Sequence, residues 1–325
     1  MKDFTTPNIV LSKCIEHDNC RYDGSKINND FIKSLQSHVN FLPVCPETSI
    51  GLSTPRDTLR LVSKDDKENF NLVFSKDGGD LTEKMNSFSH SFLKEISDKD
   101  IDGFILKSRS PSCGIKDVKV YKSHGKSPSL PNKGSGLFAS KIYEYFPNIA
   151  IEDEGRLTNF NIREHFLTKI FTKSDFKNVE NDKTIKSLID FQSKNKYLLM
   201  AHSPGYLKKM GKLTANTESK DISNIIKDYK IYLNKALSIP SKPNRNINML
   251  LHLLGYFSKH LSYNEKAFFL ETLEKYNDKK IPFCVPLTMI NSWVMRFENE
   301  YLHNQTIFEP FPSELIQTRD SGKTL

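Results

Sequence analysis

The sequence predicts a Rossmann-like α/β domain with a mostly parallel sheet, followed by an all-α domain. Three observations carry this reading. Up to about residue 160, short β-branched runs alternate with helical stretches, the rhythm of parallel strands joined by crossover helices. Beyond that point the strand signal fades and apolar residues recur at helical spacing, as in Ile162, Phe166 and Ile170 or Ile247, Leu250, Leu254, Phe257 and Leu261. The length, 325 residues, exceeds one ordinary core and suits two.

Each element has its own signal. Asn8 to Leu11 reads as a first strand, 29 to 38 as a helix and Val39 to Val44 as a second strand. After the DGGD turn at 77 to 80, residues 82 to 97 carry a second helix. Gly103 to Lys107 is a third strand, 135 to 146 a helix behind Gly134 and Gly136, and Asn148 to Ile151 a fourth strand. The expected division is an α/β domain over 1–160, a connecting helix or linker over 161–190, a helical domain over 191–312 and a tail over 313–325. The polar stretches 171 to 184 and 239 to 246 read as connections.

Composition narrows the class. Hydrophobic content of 37% and charged content of 26% describe a water-soluble chain, and no run approaches the ~20 apolar residues of a membrane span. The opening MKDFTTPNIVLSKC lacks the apolar stretch of a signal peptide, so a cytoplasmic protein without a membrane partner is expected. Its five scattered cysteines, an odd number, argue for reduced thiols rather than a disulfide framework. The net charge of +8 is uneven: residues 1–160 hold 22 Lys and Arg against 22 Asp and Glu, whereas residues 161–325 hold 25 against 17. The helical half alone therefore carries the excess, which is either a solvated surface or the footprint of a polyanion.

The cysteines gain meaning from the strand map. Cys14, Cys45 and Cys113 each follow a predicted strand, and ligands of open parallel sheets bind outside the carboxyl ends of the strands. Three converging thiols point to a soft metal centre, either zinc or an iron–sulfur cluster. Cys20 offers a fourth thiol, and composition does not choose between the two. Two acid–base candidates accompany the thiols: Glu47 in VCPE, which could shuttle a proton, and Ser110, three residues before Cys113, which could position water or substrate. Taken singly, one is a loop acid and the other a turn residue. Arg21, Tyr22 and Arg56, with Ser12 and Ser112 beside the first and third cysteines, are the expected substrate contacts. The GSG at 134 to 136 is a weak phosphate-cradle signal.

SKC…CRYDG, VCPE…GLSTPR and ILKSRSPSCG, in this order over residues 8 to 160, resemble the thiouracil desulfidase family. That resemblance implies a [4Fe-4S] cluster held by Cys14, Cys45 and Cys113, with one open iron that captures the substrate's sulfur. It also implies Glu47 and Ser110 as the catalytic pair. The first loop, CIEHDNC, departs from the family pattern in being more charged.

YLLMAHSPGYLKKMGKL, MLLHLLGYFSKHLSYNEK and the stretch 281 to 312 are similar to a small helical YbgA-type domain. Fusions of the two are implicated in removing sulfur from 4-thiouridine in tRNA, with the helical domain holding the RNA. The basic excess of this half agrees independently. Lys208, Lys209 and Lys212, with Lys259 and Arg296, are the candidate phosphate contacts; His202 and Tyr206 have equally good readings as core residues.

The expected activity is conversion of the C=S of a thiolated uracil to C=O without net electron transfer. Two alternatives stand beside it: a desulfidase of free 2- or 4-thiouracil whose helical domain only shields or dimerises, and a non-enzymatic zinc-containing RNA adaptor.

Overall fold

The computed structural model describes residues 3–63, 69–215 and 221–317. The chain divides into two compact units: Met1–Ser174 with Phe311–Leu325, and Asp175–Pro310.

The first unit contains β1 (Asn8–Ser12), α1 (Asp30–Leu35), β2 (Asn40–Val44), α2 (Pro46–Ser49), β3 (Leu59–Val62), β4 (Asn71–Phe74), α3 (Thr82–Ser97), β5 (Gly103–Leu106), β6 (Val118–Tyr121), β7 (Ser129–Gly134), α4 (Leu137–Tyr145), β8 (Ala150–Asp153) and the start of α5 (Phe160–Asp182). The expected parallel sheet is present, in the order β2-β1-β5-β8. Its pairings, Ser12 with Val44 and Leu106 with Asp153 among them, put all four carboxyl ends at one edge. Both faces are covered. Along β1, Ile9 and Leu11 enter a core with α1 and α5, while Val10 enters another with α3 and α4. Alternate residues of β5 divide the same way: Phe104 and Leu106 to one core, Ile105 to the other.

A second sheet, β4-β3-β6-β7, was not legible in the sequence. It is mixed: β3 runs parallel to β6, and the other two pairs are antiparallel. Leu61, Leu72, Val118, Val120 and Leu130 bury its inner face in the α3–α4 core.

The stretch 161–190, expected as a connecting helix or linker, is helical, including the polar run 171 to 184 up to Asp182. α5 runs unbroken to Asp182 because Phe166, Leu167, Ile170 and Phe171 bury in the first unit and Phe176 and Val179 in the second. Its polar look comes in part from half-buried lysines, Lys169 and Lys173, which donate to the Ile149 and Asn148 carbonyls. Lys183, at φ 51°, ends it, its N–H donating to the Val179 carbonyl.

The expected tail is likewise ordered as far as the structure describes it. Ser313–Leu315 form a 3-10 turn, Phe311 and Leu315 are buried with α1 and α5, and Arg163 Nη2 donates to the Gln317 carbonyl at 2.7 Å. Residues 318–325 of that expected tail lie outside the described residues.

The second unit holds the rest of α5 and α6 (Ile185–Lys194), α7 (Lys196–His202), α8 (Pro204–Ala215), α9 (Ile222–Ala236), α10 (Pro243–Phe257), α11 (Tyr263–Asn277), α12 (Cys284–Arg296) and α13 (Glu300–His303). Two apolar clusters organise it, one around Phe191 and Tyr229, the other around Phe257, Phe269 and Trp293. Residues 239 to 242 are a true connection, whereas Pro243 opens α10 at its first turn. Among the described residues no helix is long and apolar enough to cross a membrane.

Candidate functional site

At the carboxyl edge of the parallel sheet lies a pocket of about 300 Å3, and Cys14, Cys20, Cys45 and Cys113 all line it. β1 delivers Cys14 two residues past its end, and β2 delivers Cys45 immediately past its own. β5 needs a longer run to bring up Cys113. That run is fixed at Glu154, just beyond β8: Oε1 accepts from Lys107 Nζ and from Ser108 Oγ, each at 2.7 Å, and Oε2 from the Ser108 N–H at 2.8 Å.

The glycines beside Cys113 have a packing role. A Cβ on Gly136 would lie 2.4 Å from the Ser112 carbonyl oxygen, and one on Gly114 2.7 Å from that of Ser110. The GSG therefore seats the cysteine loop against the start of α4.

The thiols form a soft donor set at the centre of the site. A hydrogen bond with Cys14 pushes the Cys20 thiol up to about 11. Cys45 is raised by its hydrogen bond with Cys20 and then by burial; Cys113 is raised chiefly by burial. Such thiols keep their protons until a positive centre replaces them. Among the described residues no group of three or more His, Cys, Asp or Glu side chains is arranged to hold a metal ion. The chemistry of the donor set, thiols from three strand ends around one pocket, is nevertheless that of a soft metal centre.

The carboxylate of Glu47 is held from both sides. Its Oε2 accepts from Arg56 Nε at 3.0 Å and Nη2 at 2.6 Å, and its Oε1 accepts from Ser112 Oγ at 2.9 Å. Arg56 was expected against substrate, yet its other contacts also go to protein: the Cys20 and Ser53 carbonyls and the Thr54 hydroxyl. Ser112 is fully buried beneath Glu47. Ser110 Oγ accepts from the Ser112 and Cys113 N–H groups at 3.2 and 3.1 Å, so its hydroxyl hydrogen is what it can offer the pocket.

The remaining candidates of this half are placed as follows. Ser12 lines the pocket, and its Oγ accepts from the Lys107 N–H and bonds the Cys113 thiol. Arg21 and Tyr22 also line it; Arg21 donates to Ser25 and lies 3.6 Å from Asp23, while Tyr22 is exposed. Sequence reasoning did not rank Arg109, an exposed pocket residue at φ 57°, or Lys107 among the site residues. Their nearness to Cys113 was the available signal.

In the second unit, Lys208, Lys209 and Lys212 are exposed on α8, and Lys209 Nζ lies 5.3 Å and 5.6 Å from the ring centres of Tyr206 and Tyr232. Lys259, exposed past α10, and Arg296, paired with Glu265 at 3.0 Å, belong to the other apolar cluster's helices.

His202 is a buried residue whose Nδ1 bonds the Ile239 carbonyl, and burial holds its pKa below the ordinary value. A folded-state pKa below the unfolded one gives stability that is present above about pH 6.5 and lost as pH falls. Lowering the pH from 7 to 5 should therefore cost the parent more thermal stability than His202→Gln, as followed by helical circular dichroism. Equal losses would remove His202 as the cause.

An open parallel α/β unit with thiols, a clamped carboxylate and a serine at its ligand edge has the layout of an enzyme domain. Residues 9–154 match the family model described as 2-thiouracil desulfurase, and residues 196–312 the model of a protein of unknown function, DUF1722. The chain thus joins a domain of the 2-thiouracil desulfurase family to a DUF1722 domain. Among curated proteins it is similar to the uncharacterized protein YbgA of Escherichia coli (strain K12), 27% identical over 144 residues, 44% of this chain and 85% of that protein. It is also similar to the uncharacterized protein YbbK of Bacillus subtilis (strain 168), 27% identical over 149 residues, 45% of this chain and 96% of that protein. A solved structure, that of the [4Fe-4S]-dependent thiouracil desulfidase TudS, is 25% identical, covering 47% of this chain and 93% of its own, with a TM-score of 0.39.

Proposed function

We propose that this protein replaces the thiocarbonyl sulfur of a thiolated uracil with oxygen, acting on 4-thiouridine in tRNA. The observation that carries the reading is the convergence of Cys14, Cys45 and Cys113 beside the clamped Glu47, in a domain of the 2-thiouracil desulfurase family. The three thiolates would hold a [4Fe-4S] cluster. When bound, that cluster supplies a soft Lewis acid able to take up a thiocarbonyl sulfur.

The chain's own residues account for the remaining steps. A carboxylate has about four lone-pair sites, and the hydrogen bonds to Arg56 and Ser112 use three of Glu47's. Oε1 keeps one, and there Glu47 takes the proton from an attacking water. The hydroxyl hydrogen of Ser110 points the water or the base. Water adds to the carbon of C=S, the C–S bond breaks, and the sulfur leaves as hydrosulfide; oxidation states are unchanged. A pocket of about 300 Å3 suits one base rather than a base pair, so the nucleotide must be unstacked to enter.

The test supplies purified protein, kept from oxygen, with 4-thiouridine-containing tRNA or with free 4-thiouracil, and measures hydrosulfide. Faster release from tRNA, falling as salt rises, is expected. Turnover of free thiouracil with no response to tRNA would replace this substrate by the free base.

A further inference from the structure

The first half is neutral overall, but its charge is not evenly spread. Residues 116–134 contain Lys116, Lys119, Lys122, Lys126 and Lys133 against Asp117 as their one acid. They form the hairpin of β6 and β7 at one edge of the second sheet. Val118, Val120 and Leu130 point into the core, so Lys119, Tyr121 and Lys133 belong to the opposite, solvent face. Lys119 stands directly across from Lys133. On the other side, β3 pairs Leu61 with Val120, and one step back along that parallel register sets Arg60 beside Lys119.

Three cations thus lie in one row across three strands. Like charges directly opposite in a sheet are destabilising, and the Asp117 carboxylate, 3.5 Å from Lys133 and more than half exposed, offsets little of it. Arg60 is fixed within the row: its guanidinium lies 4.3 Å from the Tyr121 ring centre, and Nη1 donates to the Gly125 carbonyl in the hairpin turn at 2.8 Å. The hairpin is also tied to the site. Cys113 leads into β6, and at the far end of β7 the Gly136 N–H donates to the Gly114 carbonyl at 2.8 Å and Ser135 Oγ to that of Ile115 at 2.7 Å.

We infer that this solvent face, Arg60, Lys119, Tyr121 and Lys133, is a docking surface for the ribose-phosphate chain of the RNA whose thiolated base enters the pocket. A row of cations at strand spacing matches a polyanion, and the Tyr121 ring, packed against the Arg60 guanidinium, holds that cation in the row. The inference rests on the RNA reading above and adds a second contact surface, one on the catalytic unit itself.

The test uses the full-length protein and a short RNA carrying one 4-thiouridine, with binding measured at several salt concentrations. Lys119→Glu should weaken binding roughly tenfold at low salt and lower the logarithmic salt slope by about 0.7 for the lost contact. Turnover of free 4-thiouracil should be unchanged. The melting temperature should not fall, because the new carboxylate faces Lys133, and Lys119→Arg should bind as the parent does. If the parent binds the RNA and Lys119→Glu binds it with equal affinity and slope, the docking surface is refuted while the RNA reading stands. A parent that binds no RNA at low salt overturns both.

Discussion

Substituting any one of Cys14, Cys45 or Cys113 by alanine should abolish the brown colour of protein purified without oxygen and stop hydrosulfide release. The parent should contain about four irons and four sulfides per chain, as a cubane requires. The expected loss is complete because each thiol comes from a different strand end, so removing one opens one side of the donor set. Cys284, exposed at the start of α12, should be replaceable without effect. Cys20→Ala is the informative case. Its thiol is hydrogen-bonded with those of Cys14 and Cys45, and retention of the cluster on its removal would mean three protein ligands and an iron left free for sulfur. Stoichiometric zinc without labile sulfide would replace the desulfidase reading by the zinc-adaptor one.

The second large effect concerns Glu47. Glu47→Gln keeps the volume and removes the proton acceptor, so cluster absorbance should persist while turnover falls by about 10²–10⁴-fold, the usual contribution of a general base. Arg56→Met should act differently. The pair is largely buried, Arg56 exposing 5% of its side chain and Glu47 14%, and the substitution strands a carboxylate. Breaking such a pair costs about 3 kcal/mol, the low end of the range because Glu47 keeps some water. Stability and turnover should therefore fall together in Arg56→Met; Glu47→Gln, whose amide oxygen can still accept from Arg56 while the Cys20 and Ser53 carbonyls keep their hydrogen bonds to it, should also lose stability, yet its turnover should fall further than that of Arg56→Met. A parental rate in Glu47→Gln would assign Glu47 a purely structural task.

The parallel sheet was readable because its strands are continuous apolar runs buried on both faces, such as NIVL and GFIL, each bounded by turn residues. The second sheet was not. LRLV and VKVY are four-residue strands with charges on their outer face, and β3 finds a parallel partner in β6 some sixty residues away. No local pattern encodes such a pairing. The site divides similarly. Cysteines after strand ends are a pattern along the chain, so Cys14, Cys45 and Cys113 could be placed together, whereas Cys20, eight residues past β1, had no such signal. The clamp on Glu47 depends on Ser112, 65 residues away, and on an arginine that also reaches the Cys20 carbonyl, 36 residues back. Arg56 and Ser112 were read as substrate contacts because they stand near the thiols in sequence; which way each faces is decided by folding.

The return of Phe311–Leu315 to the first unit's core makes the helical unit an insertion, not an appendage. Both of its ends are stitched into the α/β unit, so cutting the gene after residue 160 would remove Phe166, Leu167, Ile170, Phe171, Phe311 and Leu315 from one apolar cluster at once. An excision that respects the wiring must bridge Ser174 directly to Phe311. The same wiring implies that a single protease nick among the inserted helices would leave two fragments still held together, because the shorter one carries a plug seated in the other's core.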